Sequence, residues 1–188
     1  MQSWAPNTAS ARVRSDRDPR QRSGTLQSPR LDLTPMVQRD APDLFALLRD
    51  PALHEFSTDP PPAHRDEVQA RIRVWESRRS PSQDDLWLNW TLRLRQSGIA
   101  VGYIQATVYE YAAELAWVIG APFQRQGYAT EAAQRVARWA LDYFKVAELR
   151  ASIHPDHIAS QRVAANVGLQ PSGVFTYEGE EIWVNRYR

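Results

Sequence analysis

Hydrophobic and polar residues alternate along several short stretches of the chain, and this alternation predicts the β-strands. From position 86 to position 94 every second residue is Leu or Trp, which is the period that places strand side chains on one face. The dipeptide Ser97-Gly98 then predicts a hairpin turn, with a return strand over 99–109. Further strands are predicted around positions 31–33, 114–119, 148–153, 174–178 and 182–187.

Apolar residues at helical spacing predict four helices between these strands. Asp40 is predicted to cap the first helix with its side chain, and the second helix is predicted over 65–78. The fourth, over 159–167, ends at Gly168, a residue type that favours helix C-termini. The third has the clearest apolar stripe, formed by Ala133, Val136, Ala137, Ala140, Leu141 and Phe144. The predicted order is β-α-α-β-β-β-α-β-α-β-β, a mixed α/β (α+β) fold.

A polar segment with a single glycine lies between the strand at 114–119 and the third helix. Backbone N–H groups at a helix start are unpaired and carry partial positive charge, so they suit a phosphate or pyrophosphate. Gly127 lets the backbone approach such a ligand without an intervening side chain. The segment consists of Gln124, Arg125, Gln126, Gly127, Tyr128, Ala129 and Thr130. No Gly-Lys-Ser/Thr follows it, which argues against a Walker-type nucleotide site.

Length and aromatic content indicate one domain with a substantial core. The 188 residues suit a single domain plus a tail, and we expect a flexible basic tail over 1–29 followed by the domain over 30–188. Most tryptophans are expected in the core, with one or two lining a pocket near the first two helices. The tryptophans in question are Trp75, Trp87, Trp90 and Trp139.

Composition and charge exclude several classes of protein. The chain has no cysteine, which excludes disulfides, cysteine–zinc sites and a cysteine nucleophile. The net charge of +1 gives no overall attraction to nucleic acid, although a basic arm within 1–29 stays open as an alternative. There is no run of eighteen apolar residues and no apolar N-terminal segment. We therefore expect a cytoplasmic protein without a membrane span.

Three motifs in the same order resemble the GNAT superfamily of acyl-CoA N-acyltransferases. The strand over 114–119 resembles the family's fourth strand, and 124–129 matches its Gln/Arg-x-x-Gly-x-Gly/Ala signature. The segment 160–169 resembles the family's later helix, which ends in Gly-Phe or Gly-Leu. The opening Arg-Leu-x-Leu strand at 30–33 is similar to the branch that contains bacterial N-terminal acetyltransferases of ribosomal proteins. The resemblance covers residues 30–188.

The resemblance implies both a fold and a reaction. The fold would be a mixed, mostly antiparallel central sheet of about seven strands, flanked by about four helices. The reaction would be direct transfer of an acetyl group from the cosubstrate acetyl-CoA to a primary amine, without a metal. A protein N-terminal α-amine is our first acceptor, ahead of a small-molecule or aminoglycoside-like amine. The oligomeric state stays open, and a homodimer is one alternative.

The resemblance also implies roles for individual residues. Glu114 would take the proton from the amine, and Ser160 would hydrogen-bond the cofactor sulfur or its pantetheine arm. Backbone amides at 117–119 would face the pantetheine and the thioester carbonyl, because this strand separates from the next one in the family. The residues expected to bind the cofactor are Trp117, Val118, Ile119, Gln124, Arg125, Gln126, Gly127, Tyr128, Ala129, Thr130, His157 and Ser160.

The chain departs from the family pattern at three positions. His157 stands where the family usually has Asn, and Arg125 stands where many members have Gly. Ala164 replaces the tyrosine that many members place one turn after the serine, which removes the usual general acid. Asp156 is predicted to cap the last helix, leaving His157 free to face the cofactor. A metal site at His154, Asp156 and His157 is not expected, since no further ligand is evident.

Alternatives stay open for the base and for the activity. Glu110, His54 and His154 are weaker candidates for the base than Glu114. A first alternative function is a non-catalytic acyl-CoA-binding regulatory protein, which the missing tyrosine and His157 would favour. A second is a nucleic-acid-binding protein that uses the arginine-rich segment within 1–29.

Overall fold

An eight-stranded sheet organises residues 24–187, the part of the chain that the computed structural model describes. The strands are β1 (Leu26–Gln27), β2 (Leu31–Pro35), β3 (Leu86–Leu94), β4 (Ala100–Val108), β5 (Ala112–Ile119), β6 (Glu148–Ile153), β7 (Gln170–Phe175) and β8 (Glu181–Arg186). The α-helices are α1 (Ala41–Leu48), α2 (Arg65–Trp75), α3 (Tyr128–Phe144) and α4 (Ile158–Val167). The predicted mixed α/β fold is confirmed. None of these described helices is both long and apolar enough to cross a membrane.

The strands lie in the order β1-β2-β3-β4-β5-β6-β8-β7, and every neighbouring pair except one is antiparallel. The exception is β5 with β6, which are parallel and are paired only from Ala112 to Glu114. The remainder of β5 continues to pair with β4 on its other side, as far as Ile119. The sheet therefore opens between β5 and β6 beyond Glu114.

Both faces of the central strand β4 are covered, so the described residues form two hydrophobic cores. Every residue of β4 is buried, which is the expected burial for a central strand that is covered on both faces. Ile104 belongs to the larger core, which includes residues of α3 and α4. Tyr103 belongs to the smaller core, together with residues of α1 and α2. Side chains of adjacent strand residues point to opposite faces, so the two cores lie on opposite sides of the sheet.

Several element boundaries differ from the prediction. Helix α2 ends at Trp75 rather than near position 78, where Arg78 has a left-handed backbone with φ 58°. Strand β7 begins at Gln170 instead of 174. The short strand β1 lies inside the segment 1–29 that we predicted to be a tail, and it pairs with β2. Residues 1–23 of that segment lie outside the described residues.

The predicted role of Asp40 as a side-chain cap is wrong. Its side chain makes no capping hydrogen bond to α1. The buried carboxylate instead accepts hydrogen bonds from Thr91 Oγ1 at 2.9 Å and Arg93 Nη2 at 2.8 Å, and from the Val37 amide at 3.0 Å. A buried carboxylate needs such partners, and the ion pair with Arg93 joins the start of α1 to β3.

Candidate active site

The opening between β5 and β6 leaves one edge of β5 without a strand partner among residues 24–187. Pairing of the two strands ends where Glu114 lies opposite Arg150. From Glu114 to Ile119, five residues further on, β5 extends for about 17 Å at the usual rise per residue. The result is a cleft that begins at Glu114 and leads toward the loop before α3.

The hydrogen-bond pattern of β5 determines which amides face this cleft. The Gly120 amide donates to the Val101 carbonyl at 2.9 Å, so it points toward β4. Backbone groups of successive strand residues point to opposite edges. The amides of Trp117 and Ile119 therefore face the cleft, whereas the Val118 amide faces β4. Of the three amides expected to face the pantetheine, two point into the cleft and the Val118 amide does not.

A cavity of about 460 Å³ occupies the mouth of the cleft. Its floor includes the directly paired residues Thr107 and Glu114 of β4 and β5, which share one face of the sheet. Trp75 of α2 is the predicted core tryptophan that also lines it. Of the predicted site residues, the structure brings together Glu114, Trp117, Val118, His157 and Ser160 around this cavity.

Two hydroxyl groups hold the carboxylate of Glu114 in place. Tyr109 Oη donates to one carboxylate oxygen at 2.9 Å, and Ser152 Oγ donates to the other at 2.8 Å. Burial, and then the neighbouring Glu114 carboxylate, raise the pKa of Tyr109 above its ordinary value. Tyr109 therefore keeps its proton and acts as a donor. Glu114 is oriented by both bonds while it lines the cavity.

The loop before α3 presents its backbone to solvent. Residues 124–127 are exposed, and Arg125 and Gly127 have left-handed backbones with φ 60° and 81°. Gly127 is the residue before the first turn of α3, and no side chain of the described residues caps this helix start. Gln124 Nε2 donates to the Ile119 carbonyl at 3.0 Å, which ties the loop to the end of β5. The uncapped amides retain their capacity to bind an anion.

Arg30 fastens this loop to the beginning of β2. Its Nη1 donates to the Gln126 carbonyl at 2.9 Å, its Nε pairs with Glu131 at 2.6 Å, and its guanidinium lies 4.6 Å from the centre of the Tyr128 ring. Burial alone would raise the pKa of Glu131, but hydrogen bonds from Ser28 and Arg30 outweigh that effect and lower it. The glutamate in the first turn of α3 is therefore neutralised by Arg30.

The start of α4 forms the opposite wall of the cavity. Ser160 and His157 both line it, and Phe56 stacks on the His157 ring at a centroid distance of 4.6 Å. Burial lowers the pKa of His157, so its imidazole is neutral at physiological pH. His157, and not Asp156, is the residue at the helix start, and no side chain caps it among the described residues. The predicted cap by Asp156 is wrong.

The alternative bases occupy three different environments. Glu110 is exposed and does not belong to the cavity lining. The two ring nitrogens of His54 lie 2.9 Å and 2.7 Å from backbone carbonyl oxygens of Asp59 and Leu48. His154 lines the cavity, and its Nδ1 accepts a hydrogen bond from the Asp156 amide. Ala164, at the position of the missing tyrosine, is completely buried in the larger core.

Several cavity residues were not predicted from the sequence. Ser152 reaches Glu114 only because β6 pairs in parallel with β5, and the sequence does not specify that pairing. Glu178 and Glu180 line the cavity from the turn between β7 and β8, whereas position 178 was predicted to end a strand. Within residues 24–187, no group of three or more His, Cys, Asp or Glu side chains is arranged to hold a metal ion.

Comparison with known proteins agrees with this architecture. Residues 30–170 match the family model described as the acetyltransferase (GNAT) domain. The uncharacterized N-acetyltransferase YnaD of Bacillus subtilis (strain 168) is 30% identical over 99 residues. That match covers 50% of this chain and 58% of YnaD, so the chain spans a little over half the length of this curated relative.

Solved structures share the fold at low sequence identity. RimL, a ribosomal L7/L12 alpha-N-protein acetyltransferase in complex with coenzyme A, has a TM-score of 0.73 and 15% identity, over 87% of this chain and 98% of that chain. The aminoglycoside acetyltransferase AAC(6')-Ib in complex with coenzyme A has a TM-score of 0.68 and 16% identity, over 83% and 94%. With the motifs, the sheet that opens after Glu114 and the matched domain model, the chain belongs to the GNAT acetyltransferase family.

Proposed function

We propose that this protein transfers the acetyl group of acetyl-CoA directly to a primary amine that binds in the cavity. One observation carries the proposal: a carboxylate, Glu114, lines the cavity at the point where β5 and β6 separate. Two hydroxyl groups orient it. A positioned carboxylate beside a strand edge with unpaired amides is a suitable arrangement for deprotonating an amine during acyl transfer.

The residues along the cleft fit a coenzyme A ligand. The exposed loop and the uncapped start of α3 provide amides for the pyrophosphate, with Arg125 close by in sequence. The amides of Trp117 and Ile119 face the cleft and are available to an extended pantetheine arm. Ser160 and His157 line the opposite wall. The pyrophosphate, the pantetheine arm and the thioester would therefore each lie beside a complementary group along the cleft.

When bound, acetyl-CoA supplies an acetyl thioester, and the protein supplies the acid–base environment. Glu114 accepts the proton that the attacking amine must lose. The cleft-facing amides of β5 stabilise negative charge on the carbonyl oxygen. A thiol has a pKa of about 8.5, so the sulfur can depart as a thiolate and take a proton from water. The reaction therefore does not require a tyrosine at the position of Ala164 as general acid. Ser160 orients the sulfur.

The acceptor that we predict first is a protein N-terminal α-amine. Such an amine has a pKa of about 7.7–8.0, compared with about 10.4 for a lysine amine. A larger fraction is therefore neutral at pH 7, and less assistance from Glu114 is needed. RimL acts on a ribosomal protein and AAC(6')-Ib on aminoglycosides, so this fold accommodates both a protein and a small-molecule acceptor.

The test is the variant Glu114→Gln, which keeps the size of the side chain but removes the base. We expect kcat/KM for the amine to fall by about 10²–10⁴ at pH 7, with unchanged affinity for acetyl-CoA by calorimetry. The ratio of kcat/KM between the natural sequence and the variant should become smaller as the pH approaches the pKa of the acceptor amine, because the amine then loses its proton without a base.

Two results would contradict the proposal. Unchanged kcat/KM in Glu114→Gln would remove the carboxylate from the mechanism and direct attention to His154, which also lines the cavity. Tight binding of acetyl-CoA by the natural sequence with no turnover on a broad panel of amines and peptides would identify a binding protein instead of an enzyme.

A further inference from the structure

The walls of the cavity carry an excess of negative charge. Arg71 is the single arginine or lysine among its described lining residues, and it lies 3.6 Å from Asp59. The two lining histidines are His154 and His157, and the latter is neutral at physiological pH. Five carboxylates line the cavity, from Glu55, Asp59, Glu114, Glu178 and Glu180. Among residues 24–187, the four carboxylates other than that of Asp59 have no arginine partner.

Some carboxylates elsewhere in the described fold have arginine partners, whereas others, such as Asp85, have none. The buried or partly buried carboxylates of Asp40, Glu131 and Glu148 each form an ion pair with an arginine. The carboxylates of Glu178, which is exposed, and Glu180, which is half-buried, form no hydrogen bond or ion pair with another described residue. Uncompensated like charges destabilise a folded state. Burial raises the pKa of Glu180, and repulsion from the neighbouring Glu178 and Glu114 raises it further.

We propose that the acceptor carries a second positive charge in addition to the amine that is acetylated. This inference rests on the proposed function. The opening of the sheet and the carboxylate of Glu114 identify the cavity as the acceptor site. The other acidic residues only determine the charge of the acceptor that this cavity favours. Glu114 would hold the reacting amine, while Glu178 and Glu180, in the turn between β7 and β8, would bind the second cation.

Electrostatics supports this assignment of the charges. Opposite charges inside a partly enclosed cavity attract more strongly than in bulk water, because the effective dielectric constant is lower. A ligand cation near Glu180 would also relieve the repulsion among the carboxylates. Two kinds of acceptor carry such a second positive charge: a free oligoamine, and a peptide whose N-terminus is followed by a basic residue. The experiment therefore tests one pair of acceptors of each kind.

The experiment compares matched acceptors that differ only in the second charge, with the full chain and acetyl-CoA. The small-molecule pair is the aminobutyl-trimethylammonium ion and its neutral isostere with a tert-butyl group. The peptide pair is Ser-Arg-Ala-amide and the same peptide with citrulline in place of Arg. Neither second group can be acetylated. We expect kcat/KM to be about tenfold higher for the charged member of at least one pair, equivalent to about 1.4 kcal/mol.

Charge-neutralising variants test which residues cause the preference for an acceptor with a second positive charge. Glu178→Gln combined with Glu180→Gln should remove most of the preference, so that the ratio of kcat/KM between the charged and the neutral member of a pair falls toward one. Asp142→Asn, at an exposed position of α3 outside the cavity lining, is the matched control and should keep the full preference. Added salt should weaken the preference in the natural sequence, since screening reduces attraction between partly exposed charges.

The outcomes separate this inference from the proposed function. Equal kcat/KM for charged and neutral members of both pairs overturns the inference and leaves the acetyltransferase function intact. A preference that survives the double variant overturns the roles of Glu178 and Glu180. If no acceptor of either charge is acetylated although acetyl-CoA binds, the proposed function fails and the inference fails with it.

Discussion

Gly127 combines two properties that a phosphate-binding turn needs. Its backbone has φ 81°, a conformation that L-residues with side chains rarely adopt. It is also exposed, and an added Cβ would have only the Arg30 guanidinium nearby, at 3.4 Å. The position is therefore open toward solvent, and a ligand can approach the start of α3 through it.

The variant Gly127→Val tests this position. The left-handed backbone makes any β-branched residue cost about 1–2 kcal/mol, and the new side chain would stand where we propose that the pyrophosphate binds. We expect the protein to remain folded but to lose most of its affinity for acetyl-CoA, as measured by calorimetry.

The matched control for this variant is Gly98→Val in the turn between β3 and β4. Gly98 has φ 72°, and nothing lies within 4 Å of an added Cβ. The control therefore incurs a similar backbone strain in a turn that is not part of the loop at 124–127. Equal affinity for acetyl-CoA in both variants would show that the turn at Gly127 does not contact the ligand.

At the scale of the element, β5 owes its position to a close approach by β4. A Cβ at Gly102 would lie 2.0 Å from the Val118 carbonyl oxygen and 3.0 Å from the Ile119 Cα. The ladder between β3 and β4 is irregular beside this residue, where the register shifts after Leu92. Glycine at 102 therefore allows β4 to approach the part of β5 whose amides face the cleft.

The variant Gly102→Ala is expected to displace β5. Because the clashing atoms belong to the backbone, the strand itself has to move, and we expect a loss of about 1–3 kcal/mol in the free energy of unfolding. Affinity for acetyl-CoA should fall as well, because the amides of Trp117 and Ile119 move with the strand. Urea denaturation and calorimetry measure the two effects.

Gly120→Ala provides the comparison for this prediction. An added Cβ there would meet the end of the flexible Leu47 side chain, at 2.6 Å from Cδ2, and that side chain can rotate away. Its loss of stability should be the smaller of the two. A Gly102→Ala variant as stable as the natural sequence would contradict the proposed constraint on β5.

The elements differ in how closely the sequence predicts them. Strands β3 and β6 have the predicted bounds, because their hydrophobic side chains meet a core and the period-two pattern is complete. Every residue of β7 is exposed, so no burial pattern marks this strand and its start was predicted four residues late. Asp40 was predicted to cap α1, but a distant partner, Arg93, binds its carboxylate.

At the scale of the whole molecule, the cavity joins segments that are far apart in the chain. Phe56, from the connection between α1 and α2, stacks on His157 at the start of α4. Glu178 and Glu180 approach from the turn between β7 and β8. The burial of His157 therefore exists only in the folded protein, and this links its protonation to stability.

This linkage predicts how stability depends on pH. Burial lowers the pKa of His157 below its ordinary value of 6.5, so the unfolded chain binds this proton more readily than the folded protein. The contribution of His157 is fully present above pH 6.5 and is lost as the pH falls below it toward the folded-state pKa. The urea midpoint should fall less steeply below pH 6.5 in His157→Gln than in the natural sequence.

Tryptophan fluorescence follows both unfolding transitions from pH 8 to pH 5. The difference in unfolding free energy between the two proteins should be constant above pH 7.5 and should change below pH 6.5. A difference that stays constant over the whole range would show that His157 is equally easy to protonate in both states.

Local patterns in the sequence determined the number and order of most elements, the GNAT motifs and the loop at 124–130. These features depend on periodicity and on residues that are close in the chain, which a sequence displays directly. The partners of Glu114 and the acidic wall were decided by tertiary structure. Ser152 and Glu180 reach the cavity through the parallel pairing of β5 with β6 and the turn after β7. Pairing between distant strands depends on how the whole sheet buries its faces, so no local pattern specifies it.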